Sequence, residues 1–295
     1  MLHVPATDFQ LADTLTSGQT FRWRFKDGAF YGLICGCAVR VRQADSTLTV
    51  ETVDSRLTEQ DVIRYFSLDV DLAPLLASID NDAQVHEAIT RHRGLRIVRQ
   101  DPWECLVCFI CSSFNNIVRI QGMIERLCQE FGSPLSFNGF RGCSFPSAET
   151  MAHVPERRLR ELGLGFRAPY LKRTARLVAE GKLPFEALRR TDYVVTKQAL
   201  LRCDGVGDKV ADCVALFGLQ KYEAFPVDVW IERAMRYYFR TRRPTRARVH
   251  DFARRHFGRY AGWAQQYLYH DARTLRRAVR IDANLPGQGV RGRSS

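Results

Sequence analysis

The sequence has no apolar run of the length that a membrane helix needs. Its longest uninterrupted apolar stretches, such as Leu106 to Cys111, fall far short of the roughly 20 residues required to cross a bilayer. The first ten residues also lack the basic stretch followed by an apolar run that marks a secretory signal. We therefore expect a protein that has no membrane partner and stays in the compartment where it is made.

Nothing in the cysteine pattern requires disulfide bonds. The nine cysteines are an odd number, in a chain of 295 residues that is large enough to form a core without cross-links, so a reducing compartment is expected. Cys105, Cys108 and Cys111 have the C-x2-C-x2-C spacing of some iron–sulfur sites. However, the residues between them are apolar and no fourth cysteine follows at Asn115, so we interpret the three as core residues of a buried helix.

Low complexity is absent as well, and only the distribution of charge is unusual. With 45% hydrophobic and 26% charged residues, the composition is that of a folded chain of two or three domains. The net charge is +12, and the segment from Arg236 to the end accounts for all of it, with fifteen Arg, three Asp and no Lys or Glu. A concentrated basic region indicates a polyanion partner such as nucleic acid, with a basic face that only aids solubility as the alternative.

Hydrophobic periodicity divides the chain into a strand-forming part and a helical part. Residues 20–53 alternate between apolar and polar positions around a Lys-Asp-Gly turn and an Ala-Asp-Ser turn, which predicts an antiparallel sheet. From Leu57 onward the period is helical. We predict an α+β fold with an N-terminal antiparallel β domain (1–98), a two-part, mainly helical body (99–285) and a disordered tail rich in Gly, Arg and Ser (286–295).

The segment 200–239 contains the most informative local pattern. It predicts a first helix, a tight turn formed by Gly205, Val206 and Gly207, and a second helix from Asp208 to Leu219. Two helices joined by such a turn form a helix-hairpin-helix, whose exposed backbone N–H groups bind phosphate without reading base sequence. The alternative is a Gly-x-Gly turn that only packs two helices together.

Two residues near this turn have the chemistry of a nucleophile and an anionic partner. Lys209 lies in the first turn of the second predicted helix, where the helix dipole disfavours an ammonium, so a shielded Lys209 supplies a neutral amine that attacks an electrophilic carbon. Asp228 follows Pro226 at the start of the next helix, where we expect an N-cap carboxylate kept ionised by backbone N–H donors. A carboxylate fixed in this way stabilises a cationic transition state. Alternatively, Asp228 is only a cap and Lys209 a surface lysine.

The run GVGDKVADC followed by PVDV resembles the helix-hairpin-helix/GPD superfamily of base-excision DNA glycosylases, and specifically the 8-oxoguanine DNA glycosylase/lyase family. Four further motifs extend the resemblance over nearly the whole chain: SGQTFRW at 17–23, the run 104–132, LGLGFRAPY at 162–170 and YAGWAQQYLY at 260–269. The resemblance implies a β domain packed on a helical body, with duplex DNA that contains 8-oxoguanine bound across the helical cleft. We expect a monomer that needs no metal or organic cofactor, with a monovalent cation at the hairpin carbonyls as an option.

The resemblance also implies roles for individual residues. Lys209 is implied to attack C1′ of the damaged nucleotide and form a Schiff base, which permits strand cleavage by β-elimination, while Asp228 stabilises positive charge on the sugar. The implied pocket for the extruded base has five members: Gly18, Cys213, Phe217, Gln265 and Tyr269. The Gly18 carbonyl accepts the N7–H that only the oxidised guanine carries, and Gln265 reads the Watson–Crick edge. For Gln265 and Tyr269, the sequence alone favours an amphipathic helix without a special role.

Further residues are implied to contact the DNA outside this pocket. Arg119 and Arg167 match readers of the orphaned cytosine, and guanidinium groups suit that task. Phe166 matches the wedge that fills the gap in the duplex, and Asn115 lies in the matching asparagine run. The implied DNA-binding surface consists of these four residues, the hairpin turn (Gly205, Val206 and Gly207), and Phe114 and Trp230.

At two positions the sequence departs from the eukaryotic pattern of the family. Phe114 occupies the place of an asparagine that contacts the orphaned base, and Trp230 that of a histidine that contacts phosphate. Since the Phe114 side chain forms no hydrogen bonds, we predict that the preference for cytosine opposite the lesion is weaker than in the eukaryotic enzymes.

Three other functions are compatible with parts of the sequence. An alkylated-base glycosylase of the same superfamily does not need the hairpin lysine, so Lys209 together with Cys213 argues against it. The thymine-glycol and mismatched-adenine branches carry a four-cysteine cluster after the last catalytic helix, and no cysteine follows Cys213. The third is a non-catalytic DNA-binding module that uses only the hairpin and the Arg-rich end. The expected location is the cytoplasm, with the nucleoid, in a prokaryote, or the nucleus in a eukaryote.

Overall fold

The computed structural model describes residues 1–138, 140–239 and 245–283. The predicted tail (286–295) and part of the Arg-rich segment lie outside these ranges. Within them, every helix is too short or too polar to cross a lipid bilayer.

The N-terminal part contains one antiparallel sheet of five strands. The strands are β1 (Leu2–Pro5), β2 (Arg24–Lys26), β3 (Ala29–Ile34), β4 (Cys37–Ala44) and β5 (Thr47–Glu51). They are arranged in the order β1-β5-β4-β3-β2, so the predicted antiparallel sheet is confirmed. The sequence pattern missed β1, and it also missed the turn between β3 and β4, because Cys35 and Gly36 interrupt an otherwise continuous apolar run. Both adopt positive φ, +50° and +78°, as tight hairpin turns require.

The remainder of the described chain is mainly helical, as predicted. The helices are α1 (Leu11–Thr16), α2 (Glu59–Tyr65), α3 (Leu72–Ile79), α4 (Ala83–Arg91), α5 (Pro102–Ser112), α6 (Ile117–Phe131), α7 (Ala148–His153), α8 (Glu156–Leu159), α9 (Ala168–Ala179), α10 (Phe185–Arg190), α11 (Tyr193–Leu201), α12 (Asp208–Phe217), α13 (Val229–Phe239), α14 (Arg246–Phe257) and α15 (Ala261–Ala283). The helical prediction was wrong at one place, where β6 (Pro134–Phe137) and β7 (Phe140–Cys143) form a short hairpin.

Helix α5 shows how local sequence positions the centre of the body. Asp101 caps its first turn by accepting a hydrogen bond from the backbone N–H of Glu104 at 2.8 Å, and Pro102 occupies the first helical position. Cys105, Cys108 and Cys111 are fully buried along the helix, and burial raises the pKa of all three thiols. This environment is that of a core, in agreement with the interpretation from the sequence.

Two separate hydrophobic cores stabilise the fold. One lies under the five-stranded sheet and includes apolar side chains from β1, β3, β4, β5, α1 and α2. The other fills the helical body, and α3 and α4 contribute to it although they precede α5 in the chain. In this second core α5 packs against α12, and α15 packs against α4 and α13. Residues of α12 and α15 border one small cavity together with Gly18, which follows α1.

Candidate active site

The predicted helix-hairpin-helix is present between α11 and α12. Gly205 has a φ of +76°, and a Cβ atom there would lie 2.4 Å from the ring of Tyr170, so the turn requires glycine. Val206 is buried and donates its N–H to the carbonyl of Cys203 at 3.1 Å. Gly207 is the N-cap of α12, which leaves the first N–H groups of that helix facing an open groove. This arrangement has the geometry of a phosphate site.

Lys209 extends from the first turn of α12 towards the end of α5. Its Nζ donates to Ser112 Oγ at 3.1 Å and lies 4.9 Å from the centre of the Phe109 ring. Ser112 in turn donates to the carbonyl of Phe109 at 2.7 Å, so the lone pairs of its oxygen face the amine. Serine and aromatic ring together hold the lysine in one orientation.

Asp228 is the N-cap of α13, as predicted. Its Oδ1 accepts hydrogen bonds from the backbone N–H groups of Trp230 at 2.9 Å and Ile231 at 3.0 Å. Burial raises the pKa of Asp228 above its ordinary value, and these two N–H donors together with Lys209 only partly offset that effect. The two N–H donors favour the carboxylate, as expected at an N-cap, but desolvation is the larger contribution to the pKa.

The residues predicted to form the base pocket surround one small cavity. Gly18, Cys213, Phe217, Gln265 and Tyr269 all line it, and so do both predicted catalytic residues, along with further members: Phe109, Pro226 and Gln266. Its volume is about 40 Å³, whereas ligand pockets typically measure about 300 to 1,000 Å³. Side chains must therefore move before a base can enter.

The walls of this cavity differ in polarity. Phe217 is buried and stacks on Phe109 with ring centres 5.7 Å apart, and burial raises the pKa of the Cys213 thiol to about 12. Gln265 is 4% exposed, and its Oε1 has no hydrogen-bond partner among the residues that the structure describes. An unsatisfied buried acceptor is costly, and a ligand donor in the cavity would satisfy it.

Gly18 closes the cavity on the side of the sheet domain. It has a φ of +80°, and a Cβ atom there would lie 2.6 Å from Arg273 Nη1 and 3.1 Å from the Tyr269 hydroxyl. A larger residue is therefore disfavoured both by its backbone conformation and by its neighbours. Tyr269 itself is half-buried at the boundary between the cavity and the open groove.

An open groove of about 1,090 Å³ runs past the cavity and contains most of the predicted DNA contacts. Phe114, Asn115, Arg119 and Trp230 line it together with Gly205 and Gly207. Phe114 is 97% exposed and has a φ of +50°, so its ring projects from the protein. Asn115 instead turns inward, because its Nδ2 donates to the carbonyl of Cys111 at 3.3 Å.

Phe166 and Arg167 lie beside the groove and are packed on each other. The Arg167 guanidinium carbon is 4.2 Å from the centre of the Phe166 ring, and Arg167 Nη2 donates to the carbonyl of Ser113. Phe166 is 49% exposed, as a wedge requires, whereas Arg167 is buried. A guanidinium in this setting must change its contacts before it can bind a base.

Family models match the chain from its first residue to the end of α14. The N-terminal domain of 8-oxoguanine DNA glycosylase matches residues 1–106, and the HhH-GPD superfamily of base excision DNA repair proteins matches residues 107–257. The chain belongs to the 8-oxoguanine DNA glycosylase family. The resemblance inferred from the sequence motifs is thereby confirmed, as is the α+β fold class.

Relatives and solved structures cover almost the whole of this glycosylase. A probable N-glycosylase/DNA lyase from Methanothermobacter thermautotrophicus is 33% identical and covers 92% of this chain and 96% of its own. The N-glycosylase/DNA lyase OGG1 of Arabidopsis thaliana is 32% identical over 91% and 78% of the two chains. The 8-oxoguanine glycosylase/lyase of Clostridium acetobutylicum, solved with duplex DNA containing cytosine opposite 8-oxoG, has 30% identity and a TM-score of 0.87 over 94% of this chain and 99% of its own.

Sequence reasoning missed three residues at the site of this glycosylase. Ser112 and Phe109 hold Lys209, yet Ser112 precedes it by 97 positions, and a serine at the end of an apolar helix is unremarkable. Arg273 lies against Gly18 and Tyr269, but in the sequence it is one of many arginines near the C-terminus. No local signal distinguishes any of the three.

Proposed function

We propose that this protein excises 8-oxoguanine from duplex DNA and then cleaves the strand at the resulting site, as a bifunctional DNA glycosylase/lyase. The observation that carries the proposal is that Lys209, Asp228 and Gly18 border one small cavity beside a groove that contains the helix-hairpin-helix. A nucleophile, an anion and a backbone acceptor thus converge on a space that a base reaches only after leaving the duplex.

In this mechanism the hairpin N–H groups bind phosphate while the damaged base leaves the stack and enters the cavity. The Gly18 carbonyl accepts the N7–H of 8-oxoguanine, a hydrogen that guanine lacks, and Gln265 supplies the acceptor for its Watson–Crick edge. Cys213 and Tyr269 contact the two faces of the ring. Because normal guanine presents an acceptor at N7, it leaves the Gly18 carbonyl unsatisfied, and this is the basis of discrimination.

Lys209 and Asp228 carry out the chemical steps. The lone pair of the Lys209 amine forms a bond to C1′ as the C1′–N9 bond breaks. The bonding electrons leave with the base, which takes up the proton that the amine nitrogen loses. Asp228 stabilises the positive charge that develops on the sugar, and Ser112 keeps the amine oriented towards C1′. Cleavage of the C1′–O4′ bond, with transfer of the remaining nitrogen proton to O4′, converts this adduct into a Schiff base. The Schiff base acidifies C2′, and β-elimination then removes a proton from C2′ and breaks the C3′–O bond, so that the 3′ phosphate leaves.

We further propose that Arg119, Arg167 and Phe166 contact the gap and the orphaned base. Base release needs no metal or organic cofactor in this mechanism, because the lysine itself supplies the nucleophile, and a monovalent cation at the hairpin carbonyls stays a prediction. The protein acts as a monomer wherever the DNA is, in the nucleoid of a prokaryotic cytoplasm or in a nucleus.

Replacing the exposed aromatic residue by asparagine, Phe114→Asn, is expected to increase the preference for cytosine opposite the lesion. Asparagine tolerates the positive φ at this position and adds a donor and an acceptor for the orphaned base. One well-placed hydrogen-bonding pair contributes about 1 to 3 kcal/mol of base discrimination, so the ratio of excision rates opposite cytosine and opposite adenine should rise about tenfold.

The measurement is single-turnover excision of 8-oxoguanine opposite each of the four bases. Val118→Asn is the matched control, because Val118 is also exposed and lines the same groove. An unchanged ratio in Phe114→Asn, or a wild-type enzyme that already processes adenine pairs many-fold more slowly, would contradict the prediction.

Adding one methyl group in the cavity wall, Gly18→Ala, is expected to reduce 8-oxoguanine excision about tenfold or more, because a misplacement of about 1 Å has effects of this size. The new Cβ would meet Arg273 Nη1 and displace the recognition carbonyl. Cleavage at a preformed abasic site should change much less, since no base enters the cavity.

The control for backbone strain is Gly28→Ala. Gly28 also has a positive φ, +71°, but no atom lies within 4 Å of a Cβ built there. Equal losses of excision in the two variants would show that strain, and not the cavity wall, is responsible.

The experiment that tests the proposed function is detection of the released base by mass spectrometry. Duplexes containing 8-oxoguanine opposite cytosine, 3-methyladenine opposite thymine, or no lesion are incubated with the wild type. We expect release of 8-oxoguanine alone. Release of 3-methyladenine without 8-oxoguanine would favour the alkylated-base branch, and DNA binding without any release would favour a binding module.

A further inference from the structure

Helix α15 is held against the segment that carries Gly18 by side-chain contacts to backbone. Gln266 Nε2 donates to the carbonyl of Ser17 at 3.3 Å, and Arg273 Nη2 donates to the carbonyl of Thr16. Gln266 lines the cavity and Thr16 is the last residue of α1, so these contacts join the cavity wall to the end of α1. The position of the Gly18 carbonyl relative to α15 therefore depends on how α1 and α15 are fixed to each other.

About one turn of α15 further from the cavity, a cluster of carboxylates and histidines connects α1 to α15 through the C-terminal end of α4. His92, the C-cap of α4, has Nδ1 3.0 Å from Asp13 Oδ2 of α1 and Nε2 3.4 Å from Asp271 Oδ1 of α15. His270 Nε2 lies 3.5 Å from Asp13 Oδ1, and its ring meets the His92 ring edge-on with centres 4.4 Å apart. Three elements are thus joined by one imidazole.

The geometry favours the doubly protonated form of His92. Nδ1 is within hydrogen-bond distance of Asp13, whereas Nε2 is at ion-pair distance from Asp271 without the geometry of a hydrogen bond. In a neutral imidazole one nitrogen would present a lone pair to a carboxylate, and only an imidazolium has a hydrogen on each nitrogen. Burial by itself lowers the pKa of His92, but Asp13 and Asp271 outweigh it and raise the pKa to about 9. The pKa of Asp13 is lowered by His270 and His92, and that of Asp271 is lowered by His92 and Arg91 against the effect of burial.

The other charged groups around the cluster support this assignment. Arg91 donates to both oxygens of Asp271, at 2.7 and 3.0 Å, and also reaches Glu87 on its own helix. Tyr267 of α15 is buried nearby and donates its hydroxyl to the carbonyl of Leu95, so it remains neutral. Two carboxylates therefore face two cations at the junction of the three helices.

We propose that His92 is a positioning residue for lesion recognition: as a cation shared by Asp13 and Asp271, it fixes α15 relative to the Gly18 segment and so sets the geometry of the base cavity. The inference rests on the proposed function, and it adds a residue that lies outside the cavity. When His92 is neutral, α1 and α15 lose their common ionic partner, and the recognition carbonyl is no longer held at the distance that 8-oxoguanine requires.

The decisive variant is His92→Gln, which keeps a polar side chain but carries no charge. We expect excision of 8-oxoguanine to fall about tenfold, whereas cleavage at a preformed abasic site should stay within about twofold of the wild type. A merely structural role would lower both reactions together. The matched control is His86→Gln, which removes a second histidine of α4 that pairs with a carboxylate, Asp80, but is exposed and does not line the cavity.

The link that His92 forms between Asp13 of α1 and Asp271 of α15 is called the ionic clamp below. A double-mutant cycle tests this clamp independently of catalysis. The shifts in melting temperature caused by Asp13→Asn and His92→Gln should be clearly non-additive, because each removes the same ion pair. Additive shifts, or equal losses of excision and abasic-site cleavage, would overturn the proposal. If the wild type releases no 8-oxoguanine, the proposed function fails, and the cycle still decides whether the cluster couples α1 to α15.

The pH dependence supplies a further test, with the sign set by the raised pKa. A histidine whose pKa is higher in the folded state stabilises the fold fully below about pH 6.5 and loses this contribution as the pH rises through about 9. The stability difference between wild type and His92→Gln should therefore shrink between pH 7 and pH 10. A constant difference would contradict the ionic clamp.

The same side chains also admit a different interpretation. Ligand atoms of Asp13, His92 and His270 lie within 4.8 Å of one another, which is compatible with a metal site. Titration of the wild type with Zn²⁺ separates the two. We expect no rise in melting temperature, and a zinc-dependent rise that His92→Gln abolishes would overturn the clamp in favour of a metal centre.

Discussion

Replacing the hairpin lysine by glutamine, Lys209→Gln, is expected to eliminate both base release and strand cleavage while leaving DNA binding intact. The amide cannot attack C1′ or form a Schiff base, although it keeps a polar N–H group one bond short of the position from which Lys209 donates to Ser112. Loss of a covalent nucleophile typically lowers turnover by about 10⁴-fold or more. Single-turnover excision and a gel-shift titration on the same 8-oxoguanine duplex measure the two properties separately.

Lys182→Gln is the control for this prediction, because Lys182 is an exposed lysine that pairs with Glu180 and does not line the cavity or the groove. It should behave as the wild type. If Lys209→Gln retained base release but lost strand cleavage, Asp228 would be activating water directly, and the protein would be a monofunctional glycosylase with Lys209 active only in the second step. Loss of DNA binding in Lys209→Gln would instead assign the lysine to phosphate.

The second large effect is expected from Asp228→Asn. Asparagine is also a good N-cap and accepts the same N–H groups of Trp230 and Ile231, so α13 should keep its start and the fold its stability. Only the negative charge is removed. Excision should fall about a hundredfold or more with little change in DNA affinity, because preorganised charge acts on the transition state.

The pH dependence of base release by the wild type should follow the ionisation of Asp228. Asp228 must be ionised to stabilise the sugar cation, and burial raises its pKa. The ordinary pKa of an aspartate is 3.8, and that of Asp228 is higher. As the pH is lowered, the rate of base release should therefore begin to decline at a higher pH than an ordinary aspartate would produce. This decline should be absent from the residual activity of Asp228→Asn. If the rates of both proteins declined in the same way at low pH, a group other than Asp228 would control the rate.

The parts of the site that could be predicted are those with local signals. A Gly-Val-Gly turn between helical runs indicates the hairpin, and a proline two residues before Asp228 indicates the cap. Both depend on interactions within a few residues, so the sequence contains them directly. The five cavity residues came only from the resemblance, because positions 18 and 265 meet through tertiary packing.

What could not be predicted depends on burial and on distant contacts. The raised pKa of Asp228 follows from desolvation by neighbouring elements, which no spacing rule includes. Arg167 matches a family pattern, yet it is buried against Phe166 and the carbonyl of Ser113. The cluster around His92 likewise joins positions far apart in the chain, and a histidine next to an arginine-glycine pair has no distinctive sequence signal.

The central claim is that Lys209 attacks a nucleotide carrying 8-oxoguanine, and borohydride trapping tests it most directly. The wild type and Lys209→Gln are each incubated with duplex containing 8-oxoguanine opposite cytosine, with an undamaged duplex as the control. We predict a covalent protein–DNA adduct only for the wild type and only with the damaged duplex. No adduct despite release of free base, or an adduct that persists in Lys209→Gln, would contradict the assignment of Lys209 as the nucleophile.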